Sequence, residues 1–270
     1  MSFANQIRSA FRHCPKSLRT FLEKMNRGRV VQRRLSEVAA KRKIYFSPEG
    51  SLIWALPWAT GDLDNHLNEF CSEYIKPGSV VWDFGAHFGL FSFTAAHFAG
   101  PQGFVLAVEP DPFLSNLIIK SEQRRPEKSA PVHALTAAIS REAGFSQIEV
   151  PERSRAANSL TGKSECTVIG GVRSRFDVCV VTPDQLAQKF PEPDVVKMDI
   201  EGSELDALVG GEKTFLKKRP VMLLEVYANI QKDTSGLLKK WGYRLYDSEA
   251  PRHLRKELEL AAHNTIAIPK

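Results

Sequence analysis

In the stretch VVWDFGAHFGLFS, Val80–Ser92, a β-branched run ends in an acid and is followed by two glycines four residues apart. A plain strand-to-helix connection needs neither the acid nor both glycines. Gly85 lacks a side chain where the backbone must turn sharply, and Gly89 lets a ligand or the sheet approach the start of the next helix. Twenty residues beyond Gly89, the run GFVLAVE ends at Glu109. A carboxylate there can accept hydrogen bonds from both hydroxyls of a ribose. A dinucleotide fingerprint would read G-x-G-x-x-G and place backbone amides on a pyrophosphate. Here the spacing is D-x-G-x-x-x-G, and Asp83 would repel a pyrophosphate but attract an ammonium or sulfonium cation. S-adenosylmethionine carries both cations, so the acid favours it over a nicotinamide dinucleotide. The competing reading is a βα turn whose glycines bind nothing, and Glu109 makes that reading minor.

These residues need a scaffold that brings strand ends together. Beyond Gly78 the chain alternates apolar strands (SVVWDF, GFVLAVE, VHALTAAI, DVVKMDI, PVMLLEVY) with helical segments (LFSFTAAHF, PFLSNLIIKSEQ, PDQLAQKF), and YRLYDS and NTIAIP read as final strands. Continuous apolar strands alternating with amphipathic helices predict an α/β fold with a mainly parallel sheet covered on both faces. In such sheets ligands bind beyond the carboxyl ends of the strands, at the switch point. Asp199 ends the fourth strand and Glu225 lies near the end of the fifth, so both acids should face that edge. The segment SELDALVGGEKTFLKK predicts one helix with a Ser203-x-x-Asp206 capping box and Leu205, Leu208, Val209 and Phe215 on its buried face. Residues 141–180 break the alternation with short β-like pieces around a polar stretch, expected to form a loop over one edge.

The composition, 43% hydrophobic and 25% charged, is that of a globular protein. Cys14, Cys71, Cys166 and Cys179 are scattered, which suits reduced thiols in a cytoplasmic setting better than a disulfide framework or zinc site. No apolar run is long enough to span a bilayer. The net charge of +6 is unevenly spread: Met1–Ile44 holds 12 Lys+Arg and 2 Asp+Glu, and the rest of the chain 25 and 29. A basic arm over residues 1–45 therefore precedes a mildly acidic domain over 46–270. Phe3, Ile7 and Phe11, then Leu18, Leu22 and Met25, recur at helical spacing in the arm, interrupted at Pro15. Such a stripe suits docking on the body of the protein, or peripheral contact of residues 1–43 with an anionic membrane at the inner surface.

VVWDFGAHFGLFS, AVEPDPFLSNL and, above all, VVKMDIEGSELDALVGG followed by PVMLLEVY resemble the FkbM family of S-adenosylmethionine-dependent methyltransferases. The resemblance runs from about Lys76 to Tyr227. It implies a Rossmann-like class I methyltransferase fold with a seven-stranded sheet, and O-methylation of hydroxyls on saccharides or polyketide-type natural products. It also implies that the cofactor contacts extend over Asp83, Gly85, Ala86, His87, Gly89, Glu109, Pro110, Asp111 and Asp199. One departure is His87, where the family's loop reads G-A-N-x-G.

Methylating an alcohol requires a base within hydrogen-bond reach of its proton. Asp199 could serve, or could contact the cofactor only. Glu225 could serve, or could be paired with Lys197. His87 is a third candidate base, against the plainer role of a hydrogen-bonding loop residue in place of asparagine. Glu201 and Glu204 are expected to belong to the loop and helix start. Asp199 and Glu201 lack a third ligand for a divalent ion, so no metal is expected. A nucleic-acid acceptor is not expected either: amino-group enzymes place an N/D-P-P-Y-type motif after the fourth strand, where this chain has DIEGSE, and the arm has few aromatics among its charges.

Overall fold

The computed structural model describes residues 24–35, 39, 41–49, 65–152, 158–160 and 171–270. From the amino end, β1 (Val31–Arg34) and β2 (Lys43–Phe46) form an antiparallel pair. Then follow α1 (Asn65–Tyr74), β3 (Val80–Phe84), α2 (Leu90–Ala99), β4 (Phe104–Val108), α3 (Pro112–Glu122), β5 (Val132–Leu135) and β6 (Ala138–Ile139). After these come β7 (Gly144–Pro151), β8 (Ser159–Leu160), β9 (Val172–Val181), α4 (Pro183–Leu186), β10 (Val195–Met198), α5 (Glu204–Gly210) and α6 (Glu212–Lys218). The chain closes with β11 (Val221–Glu225), α7 (Gln231–Lys240), β12 (Tyr243–Asp247) and β13 (Asn264–Pro269).

The central sheet has seven strands in the order β12-β13-β11-β10-β3-β4-β5. Only β13 runs against the others, inserted between β11 and β12. Successive residues of each parallel strand serve opposite faces. Val81, Ala107, Val195 and Leu223 pack with the side chains of α1, α2 and α3. Trp82, Leu106, Val196 and Met222 pack with those of α5, α6 and α7. Apolar runs without alternation are what a sheet buried on both faces requires. Strand order runs outward in one direction from β3 through β4 to β5, and in the other from β10 to β11. The switch point therefore lies between β3 and β10, and the site sits there.

Four sequence expectations change. The third predicted strand divides at Thr136–Ala137, and its second part, β6, joins another sheet of order β6-β9-β7-β8. Residues 141–180 thus contribute a sheet rather than only a loop, with residues 153–157 and 161–170 outside the described ones. The predicted single helix breaks into α5 and α6 at Gly210–Gly211, residues that propagate a helix poorly. Ser203 makes no side-chain cap there, Asp206 instead pairs with Arg141 at 2.6 Å, and Val209 is exposed. Finally, the last part of the basic arm is strand, not helix. Ile44 and Phe46 are buried at period two in the core shared with α2 and α3, and the Tyr45 N–H donates to Ser121 Oγ at 2.8 Å. One of the arm's cations turns inward, Arg42, which pairs with Glu122 at 2.7 Å and covers the Phe93 ring, while Arg27 pairs with Glu152 at 2.7 Å on the surface. The helical stripe from Phe3 to Leu22 lies outside the described residues, as do Cys14 and Cys166; Cys71 is buried and Cys179 exposed.

Candidate active site

The loop after β3 is built by backbone geometry that few residues accept. Gly85 has φ 75°, and its N–H and that of Ala86 both donate to the Val108 carbonyl, at 3.0 and 3.1 Å. A Cβ on Gly85 would overlap the carbonyl oxygen of Asp199, so this position holds β3 and β10 together at the switch point. Gly89 has φ 88° at the start of α2, and a Cβ there would sit 2.7 Å from the Phe93 ring. Its role is packing and turn geometry, not ligand approach. His87 has φ 53°, in the left-handed region where asparagine is common and histidine is enriched among non-glycine residues. This explains how the position accepts either residue.

The loop's amides meet the acid at the end of β4. Glu109 is buried; its Oε2 accepts from the His87 N–H at 2.7 Å and its Oε1 from the Asp111 N–H at 2.9 Å. Burial raises its pKa to about 8 against these hydrogen bonds. Each carboxylate oxygen can accept a second hydrogen bond, so a fixed acceptor pair remains for a diol. Asp111 is the N-cap of α3: it accepts from the Phe113 N–H at 2.9 Å and, on its other oxygen, from Asn158 Nδ2 at 2.9 Å.

Across the switch point, charge is concentrated. The Lys197 ammonium lies 3.2 Å from Asp199 and 3.6 Å from Asp83, and the Ser92 hydroxyl donates to Asp83 at 2.5 Å. Asp83 has 0% exposure, and burial raises its pKa despite those partners. Asp199 is partly open. Burial works against its ionisation, but Lys197 and a hydrogen bond from Glu225 outweigh it and hold it below the usual carboxylate range. Glu225 moves the other way, to about 9, through burial and then its contact with Asp199. The two carboxyls are thus driven in opposite directions, Asp199 toward the ionised form and Glu225 toward the protonated one. The Tyr227 hydroxyl donates to Glu201 at 2.7 Å, and burial raises Glu201 to about 7. Glu204 accepts from the amides of Ile200 and Gly202 at 2.8 and 3.3 Å, the helix-start role expected of it. His87 is forced down to about 4 by burial, so its imidazole is neutral, and its Nε2 is buried without a partner.

These groups border a cavity of about 280 Å³. Following strand order, Lys197 and Asp199 come from β10 and its end, Gly85–His87 from the β3 loop, Glu109 and Pro110 from the end of β4, and Ala137 from beyond β5. Ile148 and Leu160 of the second sheet, with Asn158, add a wall. The cavity thus passes from a charged end to an apolar one, with the Glu109 acceptor pair between. That sequence of surfaces fits a nucleoside whose base is apolar-faced, whose ribose needs two acceptors, and whose far end is cationic.

Of the residues expected at the site, Gly85, Ala86, His87, Glu109, Pro110 and Asp199 line the cavity. Asp83, Gly89 and Asp111 sit behind it, supporting Lys197, α2 and Asn158. Glu225 is also set back, reaching the site through Asp199. Lys197 pairs with Asp199 and Asp83 rather than chiefly with Glu225. Sequence reading missed Lys197, Glu201 and Asn158 as lining residues. For the first two, their place in the Lys197–Glu204 block was a usable signal; Asn158 had none. The segment entering the domain, with Trp54, Trp58 and His66, offers further sequence candidates for shaping the acceptor pocket; Trp54 and Trp58 lie outside the described residues, as does the side chain of His66. Among the described residues no group of three His, Cys, Asp or Glu is placed to hold a metal, and no helix is long and apolar enough to cross a membrane.

The family profile of the Methyltransferase FkbM domain matches residues 83–260. The hexuronic acid methyltransferase AglP of Haloferax volcanii is 25% identical over 191 residues, covering 70% of this chain and 72% of that protein. Among solved structures, the chain is similar to precorrin-6y C5,15-methyltransferase from Geobacter metallireducens GS-15, with TM-score 0.44 and 14% identity over 76% of this chain and 87% of that one. It is also similar to methyltransferase FkbM from Methylobacillus flagellatus KT, with TM-score 0.44 and 17% identity, covering 74% of this chain and 49% of that longer one. With the FkbM profile spanning most of the chain and the switch-point site in place, this chain belongs to the FkbM family of methyltransferases, with S-adenosylmethionine as its cofactor.

Proposed function

We propose that the enzyme methylates a hydroxyl group of a saccharide. The observation that carries this reading is Asp199 on the cavity wall, 3.2 Å from the Lys197 ammonium, which holds its carboxyl below the usual range. S-adenosylmethionine, when bound, supplies a methyl group made electrophilic by the sulfonium. Glu109 would hold the ribose, and the Gly85–His87 backbone would border the nucleoside. An alcohol must lose its proton as the new bond forms, and Asp199 is the ionised carboxylate placed to take it. Lys197 keeps that carboxylate charged and oriented. A carboxylate acceptor would need no base, and on the cavity wall it would meet the acids Asp199 and Glu201 beside a Lys197 already paired with Asp199 and Asp83. The saccharide class is supported by the similarity to AglP, named as a hexuronic acid methyltransferase. A polyketide-type hydroxyl would use the same base. The test is incubation with labelled S-adenosylmethionine and a panel of methyl hexosides and hexuronosides. Label in a glycoside is expected; label entering only RNA or DNA from a parallel incubation would overturn the reading.

The ribose assignment has its own check. Adenosine, which lacks the titratable amino acid, should bind Glu109→Gln at least tenfold more weakly, the loss of a charge-assisted pair being about 1.5–3 kcal/mol. Because the ionised carboxylate accepts both hydroxyls, wild-type affinity should rise as pH increases toward about 8 and then level off. The variant should show no such rise. Equal affinities by calorimetry would remove Glu109 from the ribose.

For the arm, membrane contact predicts that full-length protein co-sediments with anionic vesicles at low salt and less at high salt. The comparison protein should begin at Lys24, because a cut at Ile44 would strip β1 from β2. Equal sedimentation of the two would make residues 1–23 a packing or assembly element.

A further inference from the structure

We infer that His263 acts through Glu225 as the solvent end of a proton path that begins at Asp199. The inference rests on the O-methylation reading, since only an acceptor that loses a proton needs such a path.

The path follows from strand register. Asp199 immediately follows β10, and the pairing of Met198 with Leu224 sets it beside Glu225 at the end of β11. Glu225 in turn pairs with Asn264, the first residue of the antiparallel β13, so His263 stands next to Glu225 from the other side. The Val226 N–H donates to the His263 carbonyl at 2.6 Å, which fixes that residue's backbone. Three side chains from three adjacent strand ends thus lie in a row along the sheet edge. The first lines the cavity and the second is three-quarters buried. The third is 56% exposed, with its Nε2 2.8 Å from Glu225 Oε1. His263 Nδ1 lies 3.4 Å from the Val226 carbonyl. The tautomer with its proton on Nδ1 donates there and leaves Nε2 free to accept. The groups facing Glu225 are Asp199, Glu201, Lys197 and His263, and Tyr227 meets the His263 ring edge-on. Lys197 is held by Asp199 and Asp83, and Tyr227 donates to Glu201. Of the three side chains in the row, His263 is the most exposed, at 56% against 38% for Asp199 and 25% for Glu225.

The step balances without a further reactant. The acceptor hydroxyl gives its proton to Asp199. The Glu225 carboxyl turns its proton from Asp199 to the His263 side and releases it to His263 Nε2, and the freed carboxylate then takes the proton of Asp199 on the oxygen facing that residue. The imidazolium then loses a proton to water, and each group returns to its starting state. With ligands covering the exposed face of Asp199, Glu225 and His263 offer its proton a route to water that Lys197, already charged, does not.

The test has two arms. In the first, NMR titration of the His263 ring in the full-length cofactor-free protein is compared among wild type, Asp199→Asn, Glu225→Gln and the double variant. Coupling through a shared proton predicts that Asp199→Asn moves the His263 midpoint by about half a pH unit or more, and that Glu225→Gln abolishes most of that displacement. The same displacement in both backgrounds would mean simple charge repulsion and would overturn the path. In the second arm, with a glycoside found by the acceptor panel, His263→Ala and His263→Gln should each lower turnover about tenfold at neutral pH. KM should be unchanged, and added imidazole should restore His263→Ala. Unaltered turnover, or loss without rescue, would overturn it. If no glycoside accepts the methyl group, the acceptor reading fails and the titration alone decides the path.

Discussion

Replacing Asp199 with asparagine should lower turnover about 10²-fold or more while leaving cofactor affinity within a few-fold of wild type. Asparagine keeps the shape and the contact with Lys197's surroundings but removes the base. The other candidates are less suited. His87 is no stronger a base, since burial holds it to about 4, and its Nε2 is buried away from the surface. Glu225 is pushed up to about 9 and so already carries a proton near neutral pH. Without the Asp199 charge, Glu225 loses one of the influences that keep it protonated, so some residual activity at high pH is expected in the variant. Steady-state rates with a defined acceptor and calorimetry on the same preparation separate the two effects. Near-normal turnover would transfer the role to Glu225 or His87.

Among the described glycines, Gly85→Ala should be the most disruptive. Alanine must adopt φ 75° and place its Cβ in overlap with the Asp199 carbonyl oxygen, a backbone atom that cannot swing aside as a side chain can. Strain of this kind falls among the larger single-residue effects, about 3 kcal/mol or more. Relief would push the end of β10 away from β3, carrying Asp199 with it, so activity should fall even in molecules that remain folded. Gly89→Ala should be milder, because the obstacle is the Phe93 ring, which can shift. Urea unfolding midpoints rank the two. A Gly85→Ala midpoint equal to wild type would contradict the claimed contact between the loop and β10.

The fold was largely readable because its strands are apolar without alternation and its helices are punctuated by Gly and Pro. Beside the loop residues Gly85, Ala86 and His87, the acids read correctly onto the cavity wall are those whose position follows from ending a strand: Glu109 just after β4 and Asp199 just after β10. Asp83 was misplaced for a reason outside its neighbourhood. It lies opposite Lys197 across the β3–β10 pairing, and that lysine, with Ser92 from α2, makes a buried ion-pair layer under the site. Glu109 could be read from spacing alone, but not the two amides that orient it. His263 escaped attention because it becomes relevant only through the antiparallel return of β13 beside β11. The wall from β7 and β8 was equally hidden, since Asn158 has no local pattern and gains its place by bonding Asp111. β1 was overlooked because its arginines hide any apolar signal, whereas IYFSPEGSLIWALPW, which begins within β2, does read as short strands or extended chain.

The most direct measurement of the central claim is heteronuclear NMR of product formed from S-adenosylmethionine labelled with ¹³C in the methyl group, using the hexoside and hexuronoside panel. The account predicts a labelled methyl ether on a ring hydroxyl with wild-type enzyme, and loss of most of that signal with Asp199→Asn. A labelled methyl ester on a uronate carboxylate, or an ether signal that Asp199→Asn leaves intact, would contradict it.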